Sequence, residues 1–296
     1  MRLSLKQLRY ICAVSEHLHF GHAAEACFVT QSTLSAGIQD LEGSLEVKIF
    51  ERTNKRVFVT EKGKDIVERA KRVLQEVSDL VDAASQNHEP LSGKLIIGAI
   101  PTVSPFLLPR LLPKLRKQYP QLKMFLREDQ TAALLEDLDN GRIDVALIAL
   151  PFPVDKLVVT PLFDEAFSLA CLPSHPTNQL KQLKTHHLQD ESLLLLEEGH
   201  CLRQHALDAC KLQAASYGVP YQGTSLTTLI QMVANGIGIT LVPEMAITSG
   251  LLKKTGVVAH GFADKSVKRS IGLVWRQNSS KHQDLKLLAD FIKANH

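Results

Sequence analysis

No stretch of the 296 residues approaches the roughly 18 consecutive apolar positions a membrane-spanning helix requires. Residues 1–20 hold Arg2, Lys6, Arg9, Glu16 and His17 and lack the apolar run of a secretory leader, so a cytoplasmic location is expected. Cysteine is scarce: Cys12, Cys27, Cys171, Cys201 and Cys210 are an odd, sparse set, which argues against a disulfide framework. None of them forms a CxxC pair, which leaves no zinc ribbon or finger. No GxGxxG or phosphate-loop motif is present, and His17, His19, His22 and the His186-His187 pair lack a carboxylate or Cys at ligand spacing. Neither a cofactor nor a metal is therefore expected. A strong charge of one sign is missing too. The net charge is only +3, which does not by itself imply a nucleic-acid partner. What remains is an ordinary globular composition, 45% hydrophobic and 22% charged, about twice a usual domain in length.

Hydrophobic periodicity divides the chain. Residues 4–18 and 21–28 read as two helices, and a third begins near Ser32 with Leu34, Ile38, Leu41 and Leu45 along one face. Residues 47–60 place two apolar stretches around the polar tip ERTNKR, the pattern of a β-hairpin wing. Together residues 1–60 read as a winged helix-turn-helix domain. Residues 61–86 carry apolar residues at steps of three and four over one long helix, nearly 40 Å by helix geometry. A helix that long on a small head suits a dimerisation rod. Pro and Gly then cluster in a hinge over 87–93. Residues 94–296 alternate strand and helix, beginning with strands at 94–100, 122–127 and 144–150, which predicts a parallel α/β sheet covered on both faces. The alternation resumes at a strand over 163–172 and a helix over 202–215.

Short polar side chains at the N-terminus of a recognition helix read base edges in the major groove. Gln31, Ser32, Thr33 and Ser35 occupy that end, and Arg52, Lys55 and Arg56 sit on the wing tip, where a basic loop holds phosphate or minor groove. Charge alone does not reveal this site: residues 1–60 hold seven Lys and Arg against six Asp and Glu.

Residues 5–65 resemble the DNA-binding domain of the LysR-type transcriptional regulators. The resemblance is carried by Leu5-x-x-Leu8-Arg9-Tyr10, Phe20, Ala23-Ala24, Thr30-Gln31-Ser32-x-Leu34-Ser35, Ile38, Leu41-Glu42, Leu45, Phe50-Glu51-Arg52-Thr53 and Val59-Thr60-x-x-Gly63. Asn235-Gly236-Ile237-Gly238-Ile239 with Leu241-Val242-Pro243 extends it into the second domain. The resemblance implies a two-lobed α/β sensor domain of periplasmic-binding-protein type. Its lobe I would take about 94–162 and 269–296, and its lobe II about 163–268. It also implies promoter DNA (double-stranded) and RNA polymerase as partners, and a homotetramer of two dimers. Two departures stand out. Glu46 occupies a helix end where the family carries Gly, so a strained or rearranged turn is expected before the wing. Ala36-Gly37 replaces larger polar residues in the recognition helix, which shifts readout toward DNA shape.

Within the second domain, Glu197-Glu198-Gly199-His200-Cys201-Leu202-Arg203 stands out. Cys201 would begin a helix, where the dipole favours a thiolate, with His200 and Arg203 close by and Gly199 allowing close backbone approach. Nine helical residues would separate the Cα atoms of Cys201 and Cys210 by roughly 13.5 Å and project them to opposite sides. A disulfide needs about 4.4–6.8 Å, so a bond between them would require the helix to melt. An inert loop thiol at 201 with a buried helix residue at 210 is the alternative the residues leave open. The segment Gly-His-Cys-Leu-Arg with its second Cys resembles the peroxide-responsive members of the LysR-type family. That resemblance implies that Cys201 is the peroxidatic thiol and Cys210 the resolving one, with hydrogen peroxide as signal. It also implies that Thr102 and Thr131 bind peroxide oxygens; both are equally placed to N-cap the following helices. A LysR-type regulator sensing a small metabolite between the lobes is the other reading. A thiol peroxidase is a third, and it leaves the helix-turn-helix unexplained.

Overall fold

The computed structural model describes residues 3–52, 56–84, 89–153, 157–188, 191–210, 222–265 and 267–296. The chain divides into two compact units, one of residues 1–87 with 139–142, the other of 88–138 with 143–296.

In the first unit, α1 (Leu5–His17) opens on a capping box, with Ser4 Oγ accepting from Gln7 N–H and Gln7 Oε1 accepting from Ser4 N–H. Helix α2 (Phe20–Ala26) and α3 (Gln31–Leu45) follow, then the hairpin β1 (Phe50–Arg52) and β2 (Val57–Val59), which pair antiparallel. Ile11, Val14, Leu34, Ile38, Leu41 and Ile49 form the core between the three helices and the wing. Glu42 is buried among them, its Oε1 accepting from the N–H groups of Ile49 (2.8 Å) and Phe50 (3.0 Å). Burial works against its charge, but these two donors and Lys48 outweigh it and hold the carboxyl below the usual carboxylate range. Thr60 fastens the other end of the wing by donating to Lys48 O and accepting from Gly63 N–H. The helix α4 (Glu61–Ala84) follows, with Val67 and Ala70 in the same core and Val73, Leu80 and Val81 exposed along it. At the end of α3 no rearrangement occurs. Glu46 takes the left-handed conformation itself, φ 54°, and Val47 N–H closes the turn on Glu42 O.

The second unit contains β3 (Gly93–Ala99), α5 (Ser104–Gln118), β4 (Leu122–Glu128), α6 (Thr131–Asp139) and β5 (Val145–Leu150). Then come β6 (Leu157–Cys171), β7 (Leu193–Leu196), α7 (Cys201–Cys210), β8 (Gln222–Gly223), α8 (Leu226–Ala234), β9 (Ile239–Pro243) and α9 (Glu244–Thr248). The chain closes with β10 (Val258–Gly261), β11 (Lys268–Arg276) and α10 (His282–Asn295). The strands expected at 94–100, 122–127 and 144–150 pair parallel as expected, and the whole sheet is mixed. Strand β3 pairs parallel with β4 and β5, and β7 with β8 and β9, but β11 runs antiparallel to both β5 and β6, and β6 antiparallel to β9. The strand expected at 163–172 starts at Leu157, because β6 continues as one ribbon beside β11, paired from Leu157–Arg276 to Ala166–Lys268. These two long antiparallel strands connect the two groups of parallel strands into one sheet. The helix expected over 202–215 is described only as Cys201–Cys210, since residues 211–221 lie outside the described part.

Candidate functional site

Helices α6 and α7 start at one place. Thr131 is the first residue of α6 and Cys201 the first of α7, and Thr131 Oγ1 lies 2.8 Å from Cys201 Sγ. Thr131 is buried, and Cys201 is half-buried with a free thiol. Each helix N-terminus directs backbone N–H groups that lack intrahelical partners toward this point, which favours negative charge there. The residues just before the two helices meet as well. Gly199 has φ 95°, and a Cβ on it would lie 2.2 Å from Gln130 Oε1, so only glycine permits this approach. His200 is buried, with its Nε2 3.8 Å from Glu197 Oε1. Arg203, two residues past the cysteine, donates from Nη1 to Leu196 O at 3.2 Å.

Thr102 does not cap a helix. The residue before α5 is Val103, which makes no side-chain cap bond, and Thr102 is clamped by a buried arginine instead. Arg269 donates from Nη1 to Thr102 Oγ1 and from Nη2 to Thr102 O, both at 2.9 Å, and from Nε to Glu165 Oε2 at 2.8 Å. Glu165 Oε1 in turn accepts from Met245 N–H at 2.8 Å. One guanidinium thus ties the loop before α5 to β6, and through Glu165 to α9. His205 lies one helical turn beyond Cys201, its Nε2 3.4 Å from Pro151 O. Burial pushes its imidazole down, against the opposing contact with Pro151 O, and the positive charge of Arg269 adds to the lowering. Sequence reasoning missed Gln130, Glu165, His205 and Arg269. Arg269 is far along the chain from Cys201 and belongs to no motif, so no sequence signal pointed to it.

The side chain of Cys210 lies outside the described part, but its backbone ends α7. The ten-residue helix separates the two cysteine Cα atoms by roughly 13.5 Å, about twice what a disulfide spans. The other thiols are of a different kind. Cys171 is fully buried, and Cys12 and Cys27 pack half-buried against the core of the first unit. Burial pushes Cys12 up to about 11 and raises Cys27 and Cys171 as well. At pH 7.5 fewer than about one in a thousand Cys12 side chains is a thiolate. Iodoacetamide is therefore expected to label Cys201 well ahead of these three in the native protein, as read by peptide masses after timed quenching. Equal labelling of all four would remove the basis for assigning selective reactivity to Cys201.

In the first unit, Thr30 caps α3 by accepting from Thr33 N–H, and its hydroxyl also pairs with those of Ser32 and Thr33. Gln31, Ser32 and Thr33 are exposed on the first turn, and Ser35 is half-buried. Gly37 faces inward, where a Cβ would meet the Tyr10 ring at 3.0 Å, so its smallness serves packing against α1. Arg56 is exposed beside the wing. Arg52 has its backbone in β1 but its side chain outside the described part, and Lys55 lies outside it altogether.

Comparison with known proteins agrees with both halves. Residues 5–64 match the bacterial regulatory helix-turn-helix protein family of lysR type, and residues 88–296 match the LysR substrate binding domain. The chain is 41% identical over 292 residues to the DNA-binding transcriptional dual regulator OxyR of Escherichia coli K12, covering 99% of this chain and 95% of that one. It is 40% identical over 291 residues to the hydrogen peroxide-inducible genes activator of Dickeya chrysanthemi, covering 98% and 95%. A full-length OxyR variant from Pseudomonas aeruginosa superposes with a TM-score of 0.82 at 34% identity, over 99% of this chain and 95% of that one. With both of its domains matched over nearly their whole length, the chain belongs to the LysR family of bacterial transcriptional regulators.

Proposed function

We propose that the protein is a peroxide-responsive DNA-binding activator of transcription, switched by reversible disulfide formation between Cys201 and Cys210. The observation that carries this reading is the Thr131–Cys201 pair, 2.8 Å apart where two helix N-termini meet. In the first step the Cys201 thiolate attacks one peroxide oxygen. The O–O bond breaks, and hydroxide leaves and is protonated to water, giving a sulfenic acid. Cys210 then attacks that sulfur, the S–O bond breaks, and a second water leaves as the disulfide forms. Two thiols are oxidised and one peroxide is reduced to two waters. Thr131, Gly199 and His200 line the place where the peroxide binds. Thr102 and Arg203 complete the set on this reading, Thr102 with its hydroxyl oxygen already engaged by Arg269 so that its proton is free to point elsewhere. Because α7 holds the cysteines apart, oxidation must unwind it, and that refolding carries the signal.

Gln31, Ser32, Thr33 and Ser35 would then read base edges in promoter DNA, with Arg52, Lys55 and Arg56 on the wing holding the backbone. The apolar residues Val73, Leu80 and Val81 on α4 suit a second copy of the helix, giving a dimer and, through the regulatory domains, a tetramer that contacts RNA polymerase. Residues 87–93 would be the hinge. Among the described residues no helix is long and apolar enough to cross a membrane, and a cytoplasmic regulator fits that. Peptide-mass mapping before and after one equivalent of hydrogen peroxide tests the switch. A Cys201–Cys210 disulfide appearing within seconds is expected. If both thiols stay free while DNA is still bound, the protein responds to a different signal, and a metabolite between the lobes becomes the reading to pursue.

A further inference from the structure

Phe28 is 96% exposed, more than any other large hydrophobic residue described, and it sits in the left-handed region at φ 56°. The reason for its backbone is local. Helix α2 ends in a Schellman motif, with Phe28 N–H donating to Glu25 O and Val29 N–H to Ala24 O, both at 3.0 Å. That motif places its C′ residue in the left-handed region, where glycine or asparagine costs least and an aromatic side chain is a genuine outlier. The position is thus unfavourable twice over. The backbone is strained for this residue type, and a large apolar ring is left in water. Glycine or asparagine would relieve both, and the fold of the unit gains nothing from a ring it scarcely touches.

The location supplies what the fold does not. Phe28 stands in the turn between α2 and α3, three residues before Gln31 and next to the exposed first turn of the recognition helix. When a helix-turn-helix docks, the N-terminal residues of its second helix face the base edges, so a ring projecting from the preceding turn reaches the wall of the same groove. Apolar surface on that wall comes from thymine C5-methyl groups and deoxyribose carbons. We propose that Phe28 is a DNA-contacting residue that buries its ring against this apolar surface of the duplex, adding an aromatic contact beside the polar readout of α3. The inference rests on the DNA-binding reading above.

The test uses the full-length protein and a duplex that it selects from a random-sequence library. Phe28→Asn relieves the backbone while removing the ring, so its Tm should be unchanged or a few degrees higher, while affinity for the duplex falls roughly ten-fold. Phe28→Leu should recover part of that affinity. The slope of log affinity against log salt should not change, because no phosphate contact is lost. Uracil is then placed for each thymine in turn. A position where it weakens the wild type but not Phe28→Asn identifies a methyl as the surface, and no such position with the ten-fold loss intact identifies deoxyribose. Affinity of Phe28→Asn within two-fold of wild type overturns the proposal, as does a loss of affinity that comes with a lower Tm, which would make the ring structural. A wild type that selects no duplex takes down the DNA-binding reading along with this one. A wild type that binds, while Phe28→Asn binds equally, takes down only the role of Phe28.

Discussion

Cys201→Ser should leave the protein folded and bound to its promoter, and abolish its response to peroxide. The serine hydroxyl fits the same place and keeps a partner in Thr131, so Tm should shift little. What is lost is the nucleophile. An alcohol at neutral pH is almost entirely protonated and attacks a peroxide oxygen far more slowly than a thiolate, so the rate should fall by at least about a thousand-fold. Reporter transcription before and after peroxide, with stopped-flow consumption of peroxide by the purified protein, checks both parts. The companion protein replaces Cys12 and Cys27 with Ser and the fully buried Cys171 with Ala, and it should respond like wild type. A response that survives in Cys201→Ser, or that disappears in the companion while its fold is intact, would place the sensing chemistry elsewhere.

The second large effect concerns stability. Arg269→Ala should destabilise the regulatory unit by about 3–5 kcal/mol, because it leaves the buried Glu165 with Met245 N–H as its one remaining donor among the described residues. The side chains of Arg269 and Glu165 are 0% and 3% exposed, so solvent cannot take over the lost partner. Both oxygens of Thr102 lose their donors in the same change. Removing the whole pair, as in Arg269→Met with Glu165→Leu, should recover part of the loss, since no charge is then stranded. Urea unfolding at pH 7 measures each variant. A midpoint for Arg269→Ala close to wild type would mean that the guanidinium is not the joint between the loop before α5 and β6.

The pair also shows how far the sequence could be read. Elements with strong local causes were legible. The helix over 4–18, the run of Leu34, Ile38 and Leu41, and the polar tip between Phe50 and Val59 each carry their structure within a few residues. The cysteine site was half legible. Gly199, His200 and Cys201 announce a tight turn into a helix, and the helix that keeps Cys201 and Cys210 apart follows from periodicity. That Thr131 meets the thiol was suggested only by resemblance, because nothing local relates residues 70 positions apart.

Sheet direction was legible only within each group of strands, for a related reason. Alternating strands and helices predict parallel pairing, but the register of β11 against β5 and β6 is decided by which apolar faces the strands share once the chain has returned, a long-range packing energy that no window of sequence contains. At Glu46 a strained or rearranged turn was expected, and the strained one is found, with φ 54°. The departure from glycine was visible, but only the closed hydrogen-bond pattern and the buried Glu42 beneath it explain why the conformation is kept and the strain borne. By itself, then, the sequence determined the helix-turn-helix, the wing, the long helix and the position of the Gly199–Cys201 segment, all set by turns and apolar spacing within reach of one another. Only the tertiary structure decided that two helix N-termini converge on Cys201 and that Arg269 clamps Thr102, because those contacts join residues far apart in the chain whose proximity is set by burial of the whole core.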